Sequence, residues 1–96
     1  MSTYAVEYTY TDDADALSEV RPSHHAYLGE RLAEGTLIAS GPYTAGPAGA
    51  LLLFSVADER ALQEVLAGDP FAVAGLISAT SVRPWNPVFA VWDAPA

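Results

Sequence analysis

Residues 3–10, TYAVEYTY, alternate between two sets of side chains along the chain. Tyr4, Val6, Tyr8 and Tyr10 share one face, and smaller or polar residues occupy the other. β-Branched and aromatic residues that repeat every second position are typical of a half-buried strand. The pattern therefore predicts a first strand over residues 3–10.

The apolar pattern becomes helical after Pro22. At ~100° per residue, one stripe of this helix is apolar. The stripe consists of His24, Leu28 and Leu32, with Tyr27 at its edge. Pro22 suits the first helical position, and Gly35 suits the left-handed conformation that follows a helix. Because proline would break a helix running through it, residues 14–20 are expected to form a separate turn at most. We therefore predict a first helix from Pro22 to Glu34.

The rest of the chain contains three further strand patterns and two helical ones. Ser55 and Asp58 have capping-box spacing before a helix that Gly68 ends, and Asp69-Pro70 suits the cap and first position of a short helix. The apolar run 50–56 is typical of a central strand. The predicted strands are 36–41, 50–56 and 79–85, with a Gly/Pro/Ala-rich loop at 42–49 and an apolar extended tail at 87–92.

The order β-α-β-β-α-β predicts a ferredoxin-like α+β fold, in which a four-stranded antiparallel sheet has its helices on one face. We expect one domain over residues 1–96, with a core at about 3–86 and an apolar C-terminal extension at 87–96. The sheet face without helices would be too apolar to remain exposed. We therefore predict a homodimer in which two sheets pack face to face.

Composition narrows the function classes. Apolar residues are 51% of the chain, there is no cysteine, and twelve acids against four arginines give a net charge of −8. Because such an acidic surface repels phosphate backbones and anionic lipids, we expect neither nucleic acid nor membranes as partners. No basic and apolar leader begins the chain, and no apolar run approaches the ~18 residues of a membrane span. A cytoplasmic protein is expected.

The two histidines are adjacent, at positions 24 and 25. His24 lies on the apolar stripe, so its ring should face the cleft between helix and sheet, where it is either structural or catalytic and needs a hydrogen-bond partner. His25, ~100° further round the helix, is expected at the surface. Adjacent helical side chains diverge, whereas histidines that share a metal on a helix are usually i and i+4. We expect no metal and no cofactor.

Four other residues are candidates for a site. Asp69 either caps the short helix or orients His24, and one carboxylate can do both. Arg21 is either solvated or in contact with the acidic loop at 12–15, or it is an anchor for an anionic substrate. Ser40 can donate a hydrogen bond at the end of the second strand, and Tyr27 is a candidate substrate contact, although such aromatic residues more often belong to a core.

Four short motifs occur in order along the chain. They are R-x-x-H-x-x-Y-L at 21–28, A-x-G-P at 39–42, G-D-P-F at 68–71 and V-R-P-W at 82–85. In this set the sequence resembles the YCII-related proteins over nearly its whole length. The resemblance implies a ferredoxin-like domain that dimerises into an α+β barrel, with a His–Asp pair in a cleft as the active site. That pair would be His24 and Asp69, with Arg21 and Pro42 at framing positions.

The resemblance extends to a dehydrochlorinase of chlorinated, hydroxylated aromatic compounds, which implies lyase or isomerase chemistry. We therefore expect a cofactor-independent enzyme that moves a proton on a small cyclic or unsaturated, anionic substrate through His24 and Asp69. One alternative is a non-catalytic dimeric small-molecule-binding or accessory domain that uses the same cleft. Another is a purely structural dimerisation domain.

Overall fold

The computed structural model describes residues 1–92, so the last four residues of the predicted extension, 93–96, lie outside the described part. Seven elements follow one another along the chain. They are β1 (Ser2–Tyr10), α1 (Ala14–Ala33), β2 (Leu37–Pro42), β3 (Gly49–Val56), α2 (Glu59–Ala67), α3 (Pro70–Val73) and β4 (Ile77–Pro84).

The strands form one antiparallel sheet in the order β2-β3-β1-β4. Val6 in β1 lies between Leu52 of β3 and Val82 of β4, and this side of the sheet is covered by the helices. The main core contains Tyr4, Val6, Tyr8, Leu28, Leu37, Leu52, Phe54, Leu62 and Leu66. The predicted ferredoxin-like α+β fold is confirmed.

The other face of the sheet has no helix over it. Residues opposite one another in the register share a face, so Ala5, Leu53 and Arg83 lie together there, and so do Glu7 and Leu51. The helix-free face therefore has the predicted apolar residues, with the charged residues Arg83 and Glu7 beside them.

The prediction that α1 begins at Pro22 is wrong. The helix begins at Ala14, after Asp13, whose carboxylate accepts a hydrogen bond from the Ala16 amide at 3.0 Å, and it continues through Pro22. A proline inside a helix costs ~3 kcal/mol because one backbone hydrogen bond is lost and its ring crowds the preceding turn. The carbonyl that loses its donor belongs to Ser18, which is exposed, so water can hydrate it.

Packing of the first turns of α1 offsets this cost. Leu17 is buried in a second apolar cluster with Phe71 and Leu76, and Val20 packs against the same cluster. Burying one leucine side chain stabilises a protein by about 1.5–3 kcal/mol, which is comparable to the proline cost. Tertiary contacts thus extend the helix beyond its local signal.

The ends of the helices follow local chemistry more closely. Gly35 has φ +86° after α1, as predicted, and its amide donates to the Leu32 carbonyl while the Thr36 amide donates to that of Arg31. This is the Schellman arrangement. The N-cap of α2 is Asp58, whose carboxylate accepts from the Ala61 amide at 2.9 Å. The capping box from Ser55 is a wrong prediction, because Ser55 still pairs with Thr3 in the sheet.

The segment after β4 turns back beside the start of β1. The Trp85 amide donates to the Thr3 carbonyl, and the rings of Trp85 and Trp92 lie 6.5 Å apart. Val88, Phe89 and Val91 are exposed. Within residues 1–92, no helix is both long and apolar enough to cross a bilayer.

Candidate active site

His24 and Asp69 form a buried hydrogen bond between α1 and α3. Nδ1 of His24 lies 2.8 Å from Oδ1 of Asp69, and the two residues are 6% and 1% exposed. The His24 ring also stacks on Phe71, with centroids 4.0 Å apart and planes 19° apart. Two contacts therefore hold the imidazole in one orientation.

Asp69 is both a helix cap and the partner of His24. Oδ1 accepts from the Phe71 amide at 2.9 Å as well as from His24, and Oδ2 accepts from the Tyr8 hydroxyl at 3.2 Å. A carboxylate so deeply buried needs such donors, because an unpaired buried charge is costly. The two interpretations of Asp69 left open by the sequence are compatible in one geometry.

The hydrogen bond to Asp69 also decides which nitrogen of His24 remains available. An ionised carboxylate only accepts hydrogen bonds, so the proton in the His24–Asp69 bond belongs to Nδ1. Nε2 is then the nitrogen left for a substrate. This is the arrangement in which an imidazole can accept one proton while its other nitrogen stays oriented.

His24 lies in the wall of a cavity of ≈ 410 Å³ between α1 and the sheet. The apolar part of the wall comprises Leu28, Leu32, Leu37, Pro42, Ala50, Leu52 and Phe71. The polar part comprises Tyr10, Arg21, His24, His25 and Ser40. A mostly apolar cavity with a few convergent polar groups is typical of a small-molecule site.

Tyr8 is a member of the constellation that sequence reasoning assigned only to the core. Burial raises the pKa of its hydroxyl, and the charge of Asp69 and the hydrogen bond to it raise that pKa further. The hydroxyl therefore stays protonated and donates to Asp69. The one available signal was that a buried tyrosine usually finds a partner for its hydroxyl, but the sequence did not show which one.

Tyr10 and Arg21 both line the cavity, and the charge of Arg21 acts on the Tyr10 hydroxyl. Burial raises the pKa of Tyr10, the charge of Asp69 raises it too, and Arg21 acts in the opposite direction. Tyr10 therefore presents a neutral hydroxyl. Ser40, on β2, also lines the cavity, so Arg21, Ser40 and His24 share one wall.

Tyr27 lies elsewhere. Its hydroxyl donates to the Val65 carbonyl at 2.8 Å, and the Arg31 guanidinium lies 4.5 Å from its ring centroid. The tyrosine lines a separate shallow depression on the other side of α1, with Val65 and Ala61. The site built around His24 therefore does not include Tyr27.

His25 is exposed, as predicted, but it also lines the cavity. Its ring centroid is 5.7 Å from that of His24. The helical phase predicts that the two rings diverge. It does not reveal that the rim of the cavity extends to His25. In residues 1–92, no three His, Asp or Glu side chains are grouped so as to hold a metal ion.

A protein-family match covers most of the chain. The model of the YCII-related domain matches residues 1–86. The chain belongs to the YCII-related family. In this YCII-related protein, the matched region contains all the residues around the His24 cavity. A search of curated proteins found no match.

Solved structures share the fold of this YCII-related protein. One is 5-chloro-2-hydroxyhydroquinone dehydrochlorinase (TftG) from Burkholderia phenoliruptrix AC1100, in complex with 2,5-dihydroxybenzoquinone; its TM-score is 0.77 at 22% identity, over 88% of this chain and 93% of that one. An antibiotic biosynthesis monooxygenase has a TM-score of 0.58 at 16% identity, and the match covers 92% of this chain and 99% of the monooxygenase. SnoaB, a cofactor-independent oxygenase from Streptomyces nogalater, has a TM-score of 0.52 at 12% identity, and the match covers 95% of this chain and 96% of SnoaB. What this chain shares with these proteins is the fold, a four-stranded antiparallel sheet with helices packed on it.

Proposed function

We propose that this protein is a cofactor-independent enzyme that moves a proton on a small cyclic or unsaturated, anionic substrate. The observation that carries the proposal is the His24–Asp69 hydrogen bond of 2.8 Å in the wall of a 410 Å³ cavity. Titratable pairs that are buried, oriented and adjacent to a cavity are typical of acid–base sites.

In the proposed reaction, Nε2 of His24 removes a proton from a carbon or oxygen next to a π system. Asp69 keeps the Nδ1 proton in place and stabilises the positive charge that the ring then carries. The electron pair of the broken bond moves into the substrate. In an isomerisation the proton returns to another carbon; in an elimination an anionic leaving group departs with an electron pair. Such proton transfer contributes ~10²–10⁴-fold in rate.

Two features support a ring-shaped, anionic substrate. The cavity wall includes four leucines, Leu28, Leu32, Leu37 and Leu52, and Arg21 also lines it. The structural neighbour TftG is described as a dehydrochlorinase of a hydroxylated, chlorinated ring. That description supports lyase or isomerase chemistry on such compounds, and makes 5-chloro-2-hydroxyhydroquinone a sensible first probe.

The test is turnover in the purified protein and in His24→Gln and Asp69→Asn. Chloride release from 5-chloro-2-hydroxyhydroquinone reports elimination, and deuterium uptake by a panel of cyclic enones and hydroxylated rings in D₂O reports proton transfer. The expected loss in either variant is ~10²-fold or more. Ser23→Ala, an exposed change one residue before His24, is the control and should retain full activity. Equal rates in His24→Gln and the unaltered protein would rule the proposal out.

A non-catalytic small-molecule-binding domain is the second candidate. It is favoured by the way Asp69 joins Tyr8, His24 and Phe71, since the same bonds would also serve as a purely structural tie. If this alternative holds, His24→Gln lowers the stability of the protein. Proton exchange on the substrates then proceeds at the uncatalysed rate in the unaltered protein and in both variants.

We also propose a homodimer formed through the helix-free sheet face. Ala5 and Leu51 on this face are only half-buried in the single chain, which supports the proposal because an apolar sheet surface of this kind is usually covered. The structural neighbours belong to a superfamily of dimeric barrels, which supports the same assembly.

A further inference from the structure

The charges of this protein are unevenly distributed. The chain carries twelve acids, four arginines and two histidines. Arg21, His24 and His25 all line the one cavity, while none of its described lining residues is Asp or Glu. An acidic protein repels anions over most of its surface, so a wall that holds half of the basic side chains and no acid is a local exception.

Arg21 and His25 are adjacent on the helix surface. They are i and i+4 in α1, so their side chains lie one above the other on the same face. His25 is exposed and therefore lies at the rim, whereas His24, with its ring centroid 5.7 Å away, is buried in the wall. The next i+4 position is Gly29, where an added Cβ would meet no atom within 4 Å. The rim is thus basic at one end and open at the other.

We infer that His25 is a substrate-binding residue which, together with Arg21, binds the anionic group of a planar, singly charged ring compound. The carboxylate or phenolate oxygen lies between the guanidinium and the imidazole. The ring then lies against Leu28, Leu37 and Leu52, which brings its near edge to His24. This inference rests on the proposed function, since it specifies the substrate of the same cavity.

The chemistry of the three groups matches that ligand. Guanidinium binds carboxylates through paired donors, and a protonated imidazole adds a charge-assisted hydrogen bond. Tyr10 adds a neutral donor, because burial and then the charge of Asp69 raise its pKa. The titratable groups that line the cavity with His25 are Arg21, His24 and Tyr10. A neutral analogue would lose the two charged contacts and keep the apolar ones.

The experiment measures binding of benzoate and of its neutral counterpart benzamide by calorimetry. All titrations are done in one buffer at one pH. The variants are His25→Gln, which removes the imidazole, His25→Arg, which places a cationic donor there, and Arg21→Gln. Arg60→Gln is the matched control, because Arg60 is exposed on α2 and does not line the cavity.

We expect the unaltered protein to bind benzoate more tightly than benzamide. His25→Gln should weaken benzoate binding about three- to tenfold, as the loss of a partly exposed contact would. Arg21→Gln should weaken benzoate binding as well. His25→Arg should bind benzoate about as tightly as the unaltered protein, and benzamide binding should be the same in all variants and in Arg60→Gln.

Benzoate affinity unchanged in His25→Gln would overturn the inference. So would equal losses of benzoate and benzamide, or no benzoate binding to the unaltered protein at millimolar concentration. Because no turnover is measured, the outcome is independent of the acid–base proposal. Weaker benzoate binding in His25→Gln together with full turnover in His24→Gln would refute the catalytic proposal alone. Unchanged benzoate binding in His25→Gln together with lost turnover in His24→Gln would refute the anion site alone.

Discussion

Nδ1 of His24, in the middle of α1, lies 2.8 Å from Oδ1 of Asp69, the N-cap of α3. The two residues are 45 positions apart in the chain. The carboxylate that begins a four-residue helix therefore also orients the imidazole of the candidate site. Local stability and proposed chemistry depend on the same side chain.

Asp69→Ala should destabilise the protein far more than Asp58→Ala, although both residues are N-caps. The exposed Asp58 accepts one amide hydrogen bond, and its loss should cost ~1 kcal/mol. Losing Asp69 uncaps α3 and also leaves the Tyr8 hydroxyl and the His24 Nδ1 without partners, for a total of about 3–5 kcal/mol. Urea unfolding followed by circular dichroism measures both values. Equal losses would show that the extra bonds to Asp69 contribute nothing.

Tyr8→Phe should make the protein less sensitive to alkaline pH. The pKa of Tyr8 is raised in the folded state, first by burial and then by Asp69. The folded protein therefore retains this proton when the unfolded chain, with an ordinary tyrosine pKa of ~10, has released it. The stabilisation is fully present below ~pH 10 and is lost as pH rises toward the folded pKa, at up to about 1.4 kcal/mol per pH unit.

The measurement for Tyr8→Phe is the free energy of unfolding between neutral pH and about pH 11. At neutral pH the variant should lose ~1 kcal/mol with its hydrogen bond, and above ~pH 10 its curve should fall less steeply than that of the unaltered protein. Some decline should persist, because the pKa of Tyr10 is also raised. Parallel curves would contradict the assigned role of Tyr8.

Gly68→Ala and Gly29→Ala should have opposite effects. A Cβ at Gly68 would lie 2.6 Å from the Tyr27 hydroxyl, so the ring must shift and its hydrogen bond to the Val65 carbonyl weakens. We expect a loss of about 1–2 kcal/mol. A Cβ at Gly29, inside α1, meets nothing within 4 Å, and alanine should stabilise the helix by about 0.5–1 kcal/mol. Thermal unfolding compares the two, and the same sign for both would be contrary to the structure.

Leu51→Lys should dissociate the proposed dimer. Leu51 lies on the helix-free face beside Glu7, so a lysine there finds an opposite charge within its own protomer while placing a charge in the proposed interface. Size-exclusion chromatography with light scattering should show a dimer for the unaltered protein and a monomer for the variant. Val73→Lys, on the exposed side of α3, is the control and should remain dimeric. A monomeric unaltered protein would refute the assembly.

The elements that sequence patterns predicted well are those whose signals are local. The alternation in β1 and the apolar run in β3 depend on neighbouring residues alone, and so does Gly35, whose φ of +86° is a conformation that side chains disfavour. Asp69-Pro70 likewise predicted the start of α3 correctly, because a cap is a matter of two or three residues. The beginning of α1 was mispredicted because Leu17 packs on Phe71 and Leu76, residues more than 50 positions away.

For the site, the sequence by itself determined the chemistry available: two histidines, a capping aspartate and few cations in an acidic chain. It also determined, through the helical stripe, that His24 faces the sheet. Only the tertiary structure decided that Asp69 and Tyr8 meet that ring, that His25 reaches the same cavity, and that Tyr27 turns to Val65 instead. The helical phase specifies the direction in which a side chain leaves the helix axis. The partners of that side chain depend on how the helices pack on the sheet.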